Sequence, residues 1–163
     1  MALKGDRYEA MTDISHIMNE VATRGGIASL STAGFGAALD QAKALVTYAA
    51  NPSGAKPVGL LLGDMVNINQ TKFHKNQHKN ETQKGGKVTL LLKGWVVTNF
   101  VYPGTTPAGQ NTAYLAGSGY VTPTRGAGGV VGTPPVGNFM STKDEDGYAK
   151  LWVELPYQRH TGN

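Results

Sequence analysis

Four histidines, at positions 16, 74, 78 and 160, and eleven carboxylates supply most of the acid–base and ligand chemistry open to this 163-residue chain. There is no cysteine, which excludes thiolate nucleophiles, Cys-ligated zinc and a disulfide framework. His74 and His78 are four apart, a spacing that places two imidazoles on one helix face and could hold a metal. Lys72, Lys75 and Lys79 surround them and repel a cation, and an extended chain would point the two rings apart, so the segment reads as a polar loop with no metal. Asp144-Glu145-Asp146-Gly147 is acidic enough for calcium, but a calcium loop needs oxygens at alternating positions and a bidentate Glu beyond the Gly. A strand-like run follows instead, and Asp146-Gly147 reads as a hairpin turn. The chain has no nucleophile elbow, Walker-type phosphate loop or dinucleotide fingerprint, and Gly126-Ala-Gly-Gly-Val-Val-Gly132 lacks the strand and helix that would make it a phosphate cradle. Asp40, Asp64 and Glu81 remain as catalytic carboxylates, each without a partner recognisable in the sequence. The expectation is a protein that is not an enzyme and takes no cofactor and no small-molecule substrate.

The net charge of +4 is unevenly placed: residues 70–93 hold six Lys and one Glu, while the rest of the chain holds nine basic and ten acidic residues. The basic character belongs to one segment. It could be a solvated loop, or it could meet an acidic protein surface. Phe73, His74 and His78 between the lysines could also stack on bases, as in single-strand-binding barrels. With no Arg and one aromatic in the segment, nucleic acid is the alternative, and Lys72, Lys75 and Lys79 are taken as protein contacts.

These groups must be carried by a turn-rich scaffold. Charged residues make up 16% of the chain, against about 25% in an average globular protein, and glycine occupies 22 positions. Such a balance suits short strands and many turns. Strand-like runs occur at 44–49, 58–62, 65–68, 87–92, 94–101, 112–116, 119–122, 136–141 and 148–155, separated by Gly, Pro and Asp-Gly signals. The 94–101 run has no fully polar face, which predicts a central strand. Residues 122–135 are too rich in Gly and Pro for a regular element and form a long loop. From Asp6 to Val21, apolar residues at 8, 11, 14, 17, 18 and 21 recur every three to four positions, the period of one helix face. The middling helix propensities there leave an extended arm open as the alternative. Residues 27–39 read as an extended segment. Trp95, Val97, Leu90, Leu92, Trp152 and Val153 are expected in the core. No apolar run is long enough to span a bilayer, and the N-terminus lacks a cleavable leader; no membrane contact is expected.

Four blocks then form an ordered set: Ala55-Lys-Pro-Val-Gly-Leu-Leu-Leu62; Gly85-Gly-Lys-Val-Thr-Leu-Leu-Leu-Lys-Gly-Trp-Val-Val-Thr98; Pro107-Ala-Gly-Gln-Asn-Thr-Ala-Tyr-Leu115; and the segment from Val136 to Leu155. This set resembles the head decoration, or cement, proteins of tailed phages, over roughly residues 42–155. The resemblance implies a mainly β fold: a compact β-barrel or β-tulip-like domain preceded by an extended or partly helical N-terminal arm. The expected organisation is an arm at 1–40, a β decoration domain at 41–156 and a tail at 157–163. It implies a structural virion protein on the outer surface of an expanded capsid, made in the host cytoplasm. Its partners would be the major capsid protein and itself, as a trimer with a dimer as the alternative. Tyr8, Met11, Ile14 and Ile17 on the arm would join Lys72, Lys75 and Lys79 as capsid contacts.

Overall fold

Short apolar runs punctuated by Gly and Pro cannot bury their faces singly, so they must pair into sheets around shared clusters. The computed structural model describes residues 2–32, 45–64, 80–126 and 133–155. Eleven strands occur among them: β1 (Leu3–Met18), β2 (Ala22–Thr23), β3 (Ile27–Leu30), β4 (Leu45–Thr47), β5 (Pro57–Asp64), β6 (Glu81–Thr82), β7 (Lys87–Thr98), β8 (Thr112–Leu115), β9 (Val121–Thr122), β10 (Pro135–Phe139) and β11 (Ala149–Glu154). A 3-10 turn at Gly117–Gly119 is the one helical element among the described residues. The protein is mainly β with one large sheet. The 65–68 run, Lys72, Lys75, Lys79 and the tail at 157–163 lie outside the described residues.

The central position of the 94–101 run holds, although it and the 87–92 run are one strand, β7. β1 lies along one side of β7, from Leu3↔Thr98 to Ile17↔Lys87. The other side is shared: β5 covers Val88 to Leu91 and β11 covers Lys93 to Thr98. From β5 the pairings run through β3 and β4 and return, by a parallel contact of Ile17 and Met18 with Leu45 and Val46, to β1. From β11 they continue outward through β10 and β8 to β9. β2 and β6 form a separate small ladder.

Two apolar clusters fill this arrangement. One gathers Leu3, Ile27, Leu60, Leu91, Val96, Phe139, Leu151 and Val153; the other gathers Met18, Val46, Leu61, Val88 and Leu90, with Tyr48 and Val58 against it. Leu90 and Leu91 point to opposite sides, as neighbours in a strand must. Leu91 and Val96 nevertheless share a cluster, although five positions apart. Gly94, at φ +148°, lies between them and turns the strand; a Cβ there would sit 2.0 Å from the carbonyl oxygen of Tyr8.

Residues 3–18 are not a helix. They form the longest strand, and the segment expected as an arm is hydrogen-bonded into the main sheet through β1 and β3. The apolar spacing that suggests a helix has another origin, because β1 changes register against β7 between Glu9 and Met11, between Met11 and Thr12, and between Asp13 and His16. At the first and third of these breaks β1 carries an extra residue, which advances the chain without alternating its face in the usual way, and at the second the extra residue is on β7; Tyr8 and Met11, three apart, thus meet Trp95 and Lys93, two apart.

The expected hairpin forms. β10 and β11 pair from Gly137↔Val153 to Phe139↔Leu151, and Gly147 takes φ +83° in the turn. Asp144 organises it, its Oδ1 accepting from the backbone N–H of Asp146 at 3.1 Å and of Tyr148 at 2.7 Å. Those bonds, that of Tyr148 foremost, with the nearby Lys4 ammonium, hold the Asp144 carboxyl below its ordinary range.

The core expectation needs one correction. Leu90 and Val153 are fully buried, but Trp95, Val97, Leu92 and Trp152 are only half-buried. Both tryptophans belong to the outer face of the sheet.

Candidate functional site

In a ladder, directly opposed residues point to the same face. Tyr8 opposes Trp95, Trp95 opposes Trp152, Trp152 opposes Asn138, and Asn138 opposes Thr112. One transverse row therefore crosses β1, β7, β11, β10 and β8. At about 4.8 Å between strands, its aromatic part, Tyr8 to Trp152, spans roughly 10 Å. Val96, Leu151 and Val153 on the same strands point inward and are fully buried.

The neighbouring rows are charged. Met11 opposes Lys93, which opposes Glu154, and the Lys93 ammonium lies 3.8 Å from the Glu154 carboxylate. On the other flank Lys150 opposes Val97, and its ammonium stands 3.7 Å from the centroid of the Trp95 ring, a cation–π contact that shields one face of that indole. Farther out, Lys4 bonds to Asp144 at 3.2 Å and lies over the Tyr148 ring. The result is an aromatic strip bordered by exposed charge, with Tyr8 at 51% and Met11 at 55% exposure. Aromatic anchors inside a polar rim are the composition by which protein surfaces bind other proteins.

The expected contact residues divide accordingly. Tyr8 and Met11 come together with Trp95 and Trp152. Ile14 is exposed, but it falls at the register break between Asp13 and His16, and Ile17 is half-buried between Lys87 and Leu45, at the far end of the strand. Lys72, Lys75 and Lys79 lie outside the described residues. Trp95, Trp152 and Lys150 are absent from the sequence-based set, although a signal for them exists. In 149–154, Ala, Leu and Val alternate with Lys, Trp and Glu, which places Trp152 in phase with charge.

One cluster has the residue types of a proton relay without its geometry. Asp13, Ser15 and His16 cluster on β1, yet the Ser15 hydroxyl (3.4 Å) and the Asp13 carboxylate (3.5 Å) both approach the same ring nitrogen, Nδ1 of His16. A proton relay needs its base and its orienting carboxylate on opposite nitrogens. Burial pushes the Asp13 carboxyl up, and the hydrogen bonds from Ser15 together with the nearby His16 outweigh it, leaving the group below its ordinary range. Among the described residues no group of three His, Asp or Glu side chains could hold a metal ion. No described helix is long and apolar enough to cross a membrane.

No protein-family model matches this chain, and no curated protein matches it.

Proposed function

We propose that this protein is a structural component of a tailed-phage head, attaching through the aromatic strip of β1, β7 and β11 to the outer surface of the expanded capsid. The observation that carries the reading is the transverse row Tyr8, Trp95 and Trp152 between charged rows. That face is shaped for a broad protein surface, with ring area at its centre and ion pairs at its edge. The block pattern resembling decoration proteins supplies the identity of the surface, the major capsid protein. The circuit of pairings β1, β4, β3, β5, β7 and back to β1 supports reading the first half of the fold as a small closed barrel. A subunit bridging neighbouring capsomers gains its binding energy only on the assembled lattice, so it stabilises that lattice by mass action.

The test is co-sedimentation with expanded heads stripped of accessory proteins, with single-stranded DNA run alongside at low and physiological salt. The expected result is saturable, salt-resistant binding to heads and greater heat resistance of the decorated heads. Tyr8→Ser/Met11→Ser, which alters only exposed side chains, should lose binding while keeping the wild-type circular dichroism. Binding to DNA that falls steeply with salt, with none to heads, would overturn the proposal in favour of a nucleic-acid-binding barrel.

A further inference from the structure

The row of rings ends at Tyr8, on a strand with an open side. β7 occupies one side of β1, and β4 reaches the other only at Ile17 and Met18. Among the described residues no strand pairs with that second side from Leu3 to His16. Gly5 to Thr12 are all exposed. An edge of this length presents unpaired main-chain donors and acceptors at alternate residues and accepts another strand when the side chains match.

We infer that the matching strand is β1 of a second copy of this chain, paired antiparallel about a two-fold axis at Tyr8. In a two-fold antiparallel pair the residue on the axis faces its own copy, which sets every other partner. With Tyr8 on the axis, Arg7 meets the second copy's Glu9 and Glu9 meets its Arg7. Gly5 meets Met11, Asp6 meets Ala10 and Lys4 meets Thr12, so no like charges are opposed. Axes at Asp6, Arg7 or Glu9 set that charged residue against itself, which destabilises a ladder. Axes at Gly5, Ala10 and Thr12 also avoid like charges, but the first overlaps only Leu3 to Arg7 and the other two fall at the register breaks on either side of Met11.

Three features of the fold agree with this register. Arg7-Tyr8-Glu9 pairs with Val96-Trp95-Gly94 without a register break, so the stretch around the axis is regular strand. A Cβ built on Gly5 would meet nothing within 4 Å, leaving room for the opposing Met11. The pairing also joins the two aromatic rows into one: Trp152, Trp95 and Tyr8 continue into Tyr8, Trp95 and Trp152 of the second copy, on one face of a sheet that runs through both molecules. The dimer does not depend on what that face docks to.

The absence of native cysteine permits a direct test of the register. Tyr8→Cys places two thiols across the axis, within the roughly 4.5–5.5 Å Cα separation of opposed residues, which a disulfide spans. Met11→Cys places its two thiols about six residues apart along the ladder, roughly 20 Å, beyond any disulfide. Under mild oxidation Tyr8→Cys should give a disulfide-linked dimer and Met11→Cys a monomer. In sedimentation equilibrium, Arg7→Glu and Glu9→Arg should each weaken dimerisation about tenfold, since two opposed pairs turn repulsive. The double exchange Arg7→Glu/Glu9→Arg should restore it. A wild-type chain that stays monomeric to about millimolar concentration, equal cross-linking at position 11, or a double exchange weaker than either single one would each overturn the pairing. A monomer that still decorates heads overturns the pairing alone, and a dimer that ignores heads overturns only the capsid reading.

Discussion

Replacing Gly94 by Ala should be among the most damaging small substitutions in the sheet. Two costs combine at this position. Its φ of +148° is a conformation that side-chain-bearing residues avoid, at about 1–3 kcal/mol. The added Cβ would also stand 2.0 Å from the Tyr8 carbonyl oxygen and 3.0 Å from its carbon. Those are backbone atoms of β1, held in register by Arg7↔Val96, Tyr8↔Trp95 and Glu9↔Gly94, so relief means parting the two longest strands at their middle, a further cost of about 1–3 kcal/mol by analogy with overpacking. A loss of about 2–6 kcal/mol corresponds to roughly 4–24 °C in Tm for a chain of this size. Gly63→Ala separates the two terms, because Gly63 has a similar positive φ, +154°, but a Cβ there would meet nothing within 4 Å. It should lose only the conformational part. Urea titrations of the two variants followed by circular dichroism measure both. Equal losses would refute the close approach of β1 to β7 at Gly94.

Leu151→Ala, at a fully buried position, should cost about 2–5 kcal/mol through the cavity it leaves, whereas Trp152→Ala on the half-exposed outer face should cost less despite the larger side chain, as denaturant midpoints will show. Tyr48 donates its hydroxyl proton to the Thr23 carbonyl at 2.5 Å and accepts from the Gly26 N–H at 3.1 Å; Tyr48→Phe strands both groups and should cost about 1–3 kcal/mol. Burial pushes the Tyr48 hydroxyl far above its ordinary value of 10.0, with the N–H of Gly26 opposing and Glu20 adding to the rise. The unfolded chain therefore loses this proton first, so stability from Tyr48 is full below pH 10.0 and falls as pH rises beyond it. Alkaline denaturation curves of Tyr48→Phe should show a shallower fall than wild type.

Much of the scaffold was legible because it rests on local rules. The runs at 58–62, 87–92, 112–116, 136–141 and 148–155 are strands near their expected places, since each is short, apolar or alternating and bounded by Gly, Pro or Asp. The Asp146-Gly147 turn followed from the side chains alone, Asp144 capping it and Gly147 taking the positive φ. The N-terminal segment misled because its apolar period, read without bulges, is that of a helix. Irregular pairing in β1 produces the same spacing in a strand, and only the partner, β7, reveals where the extra residues fall. The tryptophans misled for a different reason. Large apolar rings default to the interior, yet the phase of Lys150, Trp152 and Glu154 assigns Trp152 to the charged side of β11.

By itself the sequence determined a mainly β chain without thiol chemistry, its central strand and its closing hairpin, because composition, alternation and turn residues act over a few neighbouring positions. The tertiary structure decided which strands became neighbours and so which side chains face one another. Tyr8, Trp95 and Trp152 are far apart along the chain and form one row only because β7 accepts β1 on one side and β11 on the other. Register between distant strands depends on cross-strand packing and on the bulges that adjust it, and no window of sequence contains both partners.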